Sequence, residues 1–263
     1  MSDLPQTFNR RGALRLMGLA AGAVMATKVA PAAASSLAID RALPKGAQTL
    51  DALAARLAAA PRRRDFKRVP FMVFTPEFWD QEAAAEILSY RGKPTQAWEN
   101  SDISAAWIGL MRESLNGQVF AHHNPNFLSV SATHGSAHLA LLNQAMWDKY
   151  GLASHTGGVA TRNSFIIERP GVAPTDSRED IEGFYGAMNN NLTTLQRRGV
   201  VFIGCHDSIH AIARGVVAKT SADADVVAAD LTNNLIPGVV LVPSVVAFLA
   251  ELQRAGFTYA KGA

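Results

Sequence analysis

Apolar residues in this chain fall into short, nearly unbroken runs separated by stretches with helical spacing, and the alternation of the two predicts an α/β protein. Arg68–Phe74 (RVPFMVF) has the β-branched and aromatic content of a first buried strand, Phe127–Ala132 reads as a second, and Val200–Gly204 (VVFIG) and Val239–Val242 as two more. Phe257–Ala260 closes the chain as a short strand. Between them, Ile103, Ala106, Trp107 and Leu110 recur at i, i+3, i+4 and i+7, the stripe of a helix lying on a sheet. Leu139, Leu142 and Met146 mark the helix after the second strand. A helix over Arg178–Arg197 is expected to end at Gly199, and another runs from Cys205 to Ala218. Pro243 stands where a last helix starts, with Val245, Phe248, Leu249 and Leu252 on one face and Gly256 as its stop.

The strands are continuously apolar, so both faces of the sheet must be covered. The pattern predicts a mostly parallel sheet with helices on both faces. Residues 75–101 and 151–176, rich in turn formers, read as two irregular insertions, the second holding one short strand at Ser164–Glu168. Residues 35–66, with Leu50, Leu53 and Leu57 at helical spacing, read as a leader helix and linker before one domain spanning 67–263.

The amino-terminal end changes the picture of where the protein works. Asn9-Arg10-Arg11-Gly12-Ala13-Leu14-Arg15-Leu16, a mildly apolar stretch to Ala26 and the small residues Ala30–Ala34 have the form of a removable twin-arginine signal over residues 1–34. The expectation is export to the periplasm with the translocase of that pathway as a transient partner. The 25 bases and 22 acids of the chain would then lose Arg10, Arg11, Arg15, Lys28 and Asp3, and 21 of each remain. A neutral mature protein has no electrostatic footprint for nucleic acid. Arg62-Arg63-Arg64 with Lys67-Arg68 reads as a solvated face of the linker. No other apolar run approaches the ~18 residues a membrane span needs.

In parallel α/β sheets the functional crevice lies beyond the carboxyl ends of the strands. Two such loops are chemically loaded: His134-Gly135-Ser136-Ala137-His138 and Cys205-His206-Asp207-Ser208-Ile209-His210. Cys205 is the single cysteine, so an exported protein has no internal disulfide and its thiol is either a buried hydrophobe or a working group. At a strand end and a helix start its sulfur meets unpaired N–H groups, which favour thiolate, with His206 adjacent and Asp207 able to cap the helix. A second reading pairs His134 with His138 and His206 with His210, each four apart at a helix start, as ligands for zinc or copper together with Cys205. His122-His123-Asn124-Pro125 reads as a turn that could lend a further ligand. Phosphate-cradling loops, the G-x-S-x-G elbow and C-x-x-C are absent.

The runs Arg198–Cys205 (RGVVFIGC), Ala213-Arg214-Gly215, Leu235–Ser244 (LIPGVVLVPS) and Leu252–Tyr259 (LQRAGFTY) resemble the carboxyl-terminal half of the DsrE/DsrF-like family. The strand at 127–133 with His134-Gly135 resembles that family's central strand and loop, while 75–101 and 151–176 depart from it. The resemblance implies a flavodoxin-like fold, frequent oligomerisation, and a persulfide sulfur carried on Cys205, with His206, His134 and Asp207 tuning the thiolate. Metal or small-ligand binding through the paired histidines, and a non-catalytic envelope role, stand as alternatives; the sulfur donor and acceptor are open.

Overall fold

The structure, a computed structural model, describes residues 39–218 and 220–262; the twin-arginine segment at 1–34 lies outside the described residues. Five strands form one parallel sheet: β1 (Thr95–Asn100), β2 (Leu128–Thr133), β3 (Val201–Cys205), β4 (Val240–Val242) and β5 (Thr258–Lys261), in the spatial order β4-β3-β2-β1-β5. The chain steps from β1 through β4 in one direction and then returns to set β5 beside β1. Parallel crossovers are right-handed, so the reversal sends the last crossover to the opposite face.

The core shows that division. Against one face pack α3 (Trp107–Asn116), a 3-10 turn at Gly135–Leu141, α4 (Gln144–Tyr150), α5 (Leu192–Arg197), α6 (His206–Val217) and α7 (Ala224–Asn233), burying Trp107, Met111, Leu139, Ile209 and Leu231 around Phe202. Against the other pack α1 (Gln48–Ala59), α2 (Gln81–Leu88) and α8 (Val245–Arg254), burying Leu50, Leu53, Ile87, Val245 and Leu252 around Val130, Ile203 and Val240. The expected parallel α/β architecture is therefore present. The helix from Cys205 and the helix carrying Val245, Phe248, Leu249 and Leu252 stand at the expected places, and Gly199 (φ 93°) and Gly256 (φ 92°) take the left-handed conformation after their helices.

Several expectations are corrected. Arg68–Phe74 is not a strand but an irregular strap, with Phe71, Met72 and Phe74 exposed. The true first strand is Thr95–Asn100, inside the segment read as an irregular insertion, which also holds α2. Ser164–Ile166 is a 3-10 turn, and the helix expected over Arg178–Arg197 is confined to Leu192–Arg197. Helix α7 was not anticipated at all. The segment read as a leader contributes Leu50 and Leu53 to the core.

The arginine run is not a solvated face. Arg64 grips the fully buried Asp80 through Nη1 and Nη2 at 3.2 and 2.8 Å and donates from Nη2 to Val239 O at 3.2 Å, while Arg63 holds Glu82 with two bonds of 2.8 Å. Asp80 in turn donates its N–H to Leu241 O at 3.0 Å and accepts Leu241 N–H on Oδ2 at 2.8 Å. One residue thus satisfies the open edge of β4 as a neighbouring strand would. Removing the carboxylate strands the half-buried Arg64 and the Leu241 N–H together. Asp80→Ala is expected to lower unfolding stability by about 3–5 kcal/mol, read from urea denaturation; a loss under about 1 kcal/mol would show that the clamp is incidental.

Candidate functional site

The carboxyl ends of β1, β2 and β3 bring the sequence-derived site residues to one rim, but not into one cluster. β2 and β3 pair up to Thr133–Gly204, and the next residues on the two chains are His134 and Cys205. Strand alternation turns Cys205 towards α8, among Val242, Val245 and Ile203. There it is 3 % exposed, and its Sγ accepts the Val245 N–H at 3.5 Å. The sulfur therefore stands at the amino end of α8, while its own backbone forms the N-cap of α6. Asp207 makes no cap bond; it lies exposed in the first turn of α6, where the helix dipole favours a carboxylate.

His134 is held by Glu99, which accepts the Nε2–H on Oε1 at 3.1 Å; both side chains keep about a fifth to a quarter of their surface, 21 % and 24 %. Glu99 also accepts the hydroxyl of Tyr259 from the neighbouring β5. That hydroxyl and the imidazole, in this order of effect, hold the Glu99 carboxyl below its usual range, and the same bond raises the Tyr259 phenol. The result is a carboxylate–imidazole–phenol row across β2, β1 and β5, at the place where the order of strands reverses. Sequence reasoning found His134 but missed Glu99 and Tyr259. The reversal beside β1 is the signal that could have found them, had β1 been recognised.

The paired histidines do not form a ligand set. A 3-10 turn, not an α-helix, follows His134, so residues four apart leave the shared face: His134 reaches Glu99 while His138 turns into the core. His138 has no exposed surface, neither ring nitrogen has a partner among the described residues, and burial depresses its pKa to about 3. It fits because β3 has a glycine beneath it: a Cβ on Gly204 would stand 3.0 Å from His138 Nε2 and 3.2 Å from Val239 Cγ1.

His206 and His210 do share a face, with ring centroids 4.9 Å apart, but each donates Nε2–H to the strap, to Pro70 O at 2.9 Å and Val69 O at 3.0 Å. Burial, the largest cause for each, lowers both pKa values. His122 and His123 are exposed in a turn before β2, at the far end of the sheet. Among the described residues no three His, Cys, Asp or Glu side chains gather as a metal site. The four histidines expected as ligands for zinc or copper, His134, His138, His206 and His210, thus stand in three separate settings among the described residues. No helix among the described residues is long and apolar enough to cross a membrane.

Compared with protein-family models, with curated proteins and with solved structures, the chain gives no match.

Three histidines with lowered pKa make a prediction about acid. Each is neutral when folded but takes up a proton when unfolded, so stability is full above the ordinary histidine value of about 6.5 and falls as pH drops below it. For His138 the fall continues to about pH 3, with a slope of up to about 1.4 kcal/mol per pH unit. His138→Leu should flatten the pH dependence of the urea midpoint between pH 6 and 4, and a profile with unchanged slope would show that His138 titrates normally.

Proposed function

We propose that this is an exported, DsrE/DsrF-like protein of flavodoxin-like kind whose Cys205 does sulfur-transfer or thiol-redox work in the periplasm, as a homo-oligomer. The observation that carries the reading is the position of Sγ: at the carboxyl edge of an inner parallel strand, receiving the first N–H of α8, one residue past the last β2–β3 pair, as His134 is on β2. The strand order supports the kinship. It differs from the flavodoxin order 2-1-3-4-5 only in that the strand outside β1 is last in sequence instead of second. The twin-arginine motif at Arg10-Arg11 supports export.

In this reading Glu99 fixes the tautomer and direction of the His134 ring, and His134, the residue after the last β2–β3 pair, is assigned by the resemblance to tune the Cys205 thiol. The Val245 N–H meets the sulfur from the amino end of α8. With thiosulfate as donor, the Cys205 thiolate attacks the outer sulfur; the cysteine S–S bond forms, the S–S bond of thiosulfate breaks, and sulfite leaves with the electron pair. His206 and Asp207, assigned by resemblance to the same thiolate, act from the far side: His206 anchors the strap and Asp207 adds charge at the start of α6.

A second reading rests on one specific observation. The Glu99–His134–Tyr259 row reaches solvent whereas Cys205 scarcely does, which suits acid–base work on, or binding of, a small ligand without any part for the thiol.

Incubation of the native protein with thiosulfate or polysulfide, followed by intact-mass analysis, separates the readings. The expected result is the gain of one sulfur atom, removed by reductant, absent in Cys205→Ser, and formed at least about tenfold more slowly in His134→Ala. No adduct on the native protein, together with a thiol that meets maleimide only after unfolding, would overturn the sulfur reading and leave Cys205 as a packing residue.

A further inference from the structure

At the opposite end of the sheet, where α5 leads into β3, a small cavity of about 40 Å³ opens between the 42–44 segment, α3 with its following turn, and Tyr185. Leu43, Leu115, Val119 and Phe120 make its walls apolar, and Arg198 is the one charged side chain lining it. Arg198 is 4 % exposed. Its Nη2 donates to Asn116 Oδ1 at 2.7 Å, and Asn116 is itself held by donating to Tyr185 O at 3.1 Å, but Nη1 has no partner among the described residues.

Such a group is costly to bury. A guanidinium cannot discard its proton, so a buried one needs an anion or a full set of acceptors. Here it has neither among the described residues. The Tyr185 ring stands 5.0 Å and the Phe120 ring 5.9 Å from Cζ, which gives cation–π stabilisation without using the free N–H. Desolvation is the largest effect on Arg198 and lowers its pKa to about 10; Arg112 pushes the same way, and only Tyr185 opposes. Arg178 lies over Phe120 at 4.3 Å and adds a further positive charge at the rim.

We infer that this cavity is a binding site for a short-chain carboxylate, its two oxygens on Arg198 and its carbon chain against Leu115, Val119 and Phe120. Size limits the class: one water-sized position takes roughly 10–15 Å³, so the cavity holds about three heavy atoms, the count of a carboxylate group, and the carbon tail lies along its open side. Shape agrees with it, since a planar carboxylate matches the guanidinium fork and lies flat beside the ring faces. The apolar walls tolerate a methyl or ethyl tail and offer nothing to a second charge. The site lies at the amino ends of the strands and is independent of Cys205.

Saturation-transfer NMR on the full chain with sodium propionate as probe, at constant ionic strength set with chloride, tests the assignment. The expected result is transfer to the propionate methyl with a Kd of about millimolar, competed by acetate and unaffected by Cys205→Ser. Arg198→Met should weaken binding at least about tenfold, with Arg198→Lys intermediate because it keeps the charge and loses the fork. Val119→Phe, which fills the cavity and leaves the arginine, should also abolish transfer, and it serves if Arg198→Met does not fold. Absence of transfer in the wild-type protein, equal transfer in Val119→Phe, or stronger competition by inorganic phosphate than by acetate would each overturn the carboxylate assignment; the first would mean that water alone fills the space.

Discussion

The sheet depends on what happens at the outer edge of β4, a strand of only three residues in the order's outermost place. A parallel edge offers alternate N–H and C=O groups that water or another chain would otherwise take. Asp80 answers both with its own N–H and carboxylate, and the carboxylate is neutralised in place by Arg64. Arg64 then reaches past it to Val239 O, so the same pair fixes the segment 62–80 along the sheet edge. From there the chain passes Val69 and Pro70, whose carbonyls receive the two histidines of α6. A buried ion pair is weak evidence for stability as such, but this one determines where a long irregular segment lies.

That arrangement explains the largest misreading of the sequence. RVPFMVF carries strand composition, yet the sheet edge beside β4 is not free to receive it: Asp80 already occupies it, and Pro70 has no N–H to give. Conversely, TQAWEN looks like loop because four of its six side chains are polar, and it is nonetheless an inner strand. Each of the four side chains finds a partner, although Asn100 Oδ1 has none among the described residues: Thr95 donates to Gly256 O, Gln96 accepts from Trp98 and Ser114, Glu99 holds His134, and Asn100 donates to Ser131. Hydrophobic periodicity cannot report a strand whose polar atoms are satisfied by residues far away in sequence. In the carboxyl-terminal third β3, β4 and α8 were legible because the strands have few such obligations and α8 ends at Gly256 with positive φ, whereas α7 has no such stop.

The site was legible to the same extent. The strand–helix junction at Cys205 follows from local pattern alone, and the structure has it. The histidine pairs required a further assumption, that i and i+4 share a helical face. It is met for His206 and His210 and broken for His134 and His138 by the tighter turn. Where the assumption is met, the imidazoles are spent on backbone carbonyls of the strap, a partner 136 or more residues distant that no spacing rule could name. Glu99 and Tyr259 went unassigned because their role depends on β1 and β5 being neighbours, which is a fact of topology.

The two ends of the sheet hold buried bases that meet the same cost in different ways. His138, without a partner on either nitrogen, sheds its proton and becomes a neutral aromatic filler over Gly204, so the absence of a partner for its ring costs two hydrogen bonds and no charge. Arg198 cannot follow that course. Its charge stays, spread over a planar group that two aromatic faces and one amide can only partly satisfy. A fold that needed only a filler at position 198 would be served better by an apolar side chain, as replacement of buried ion pairs by hydrophobic residues shows in general. Keeping a full positive charge beside an apolar cavity, with one donor unspent, is a structural cost that folding alone does not explain, and it directs attention to what that charge can hold.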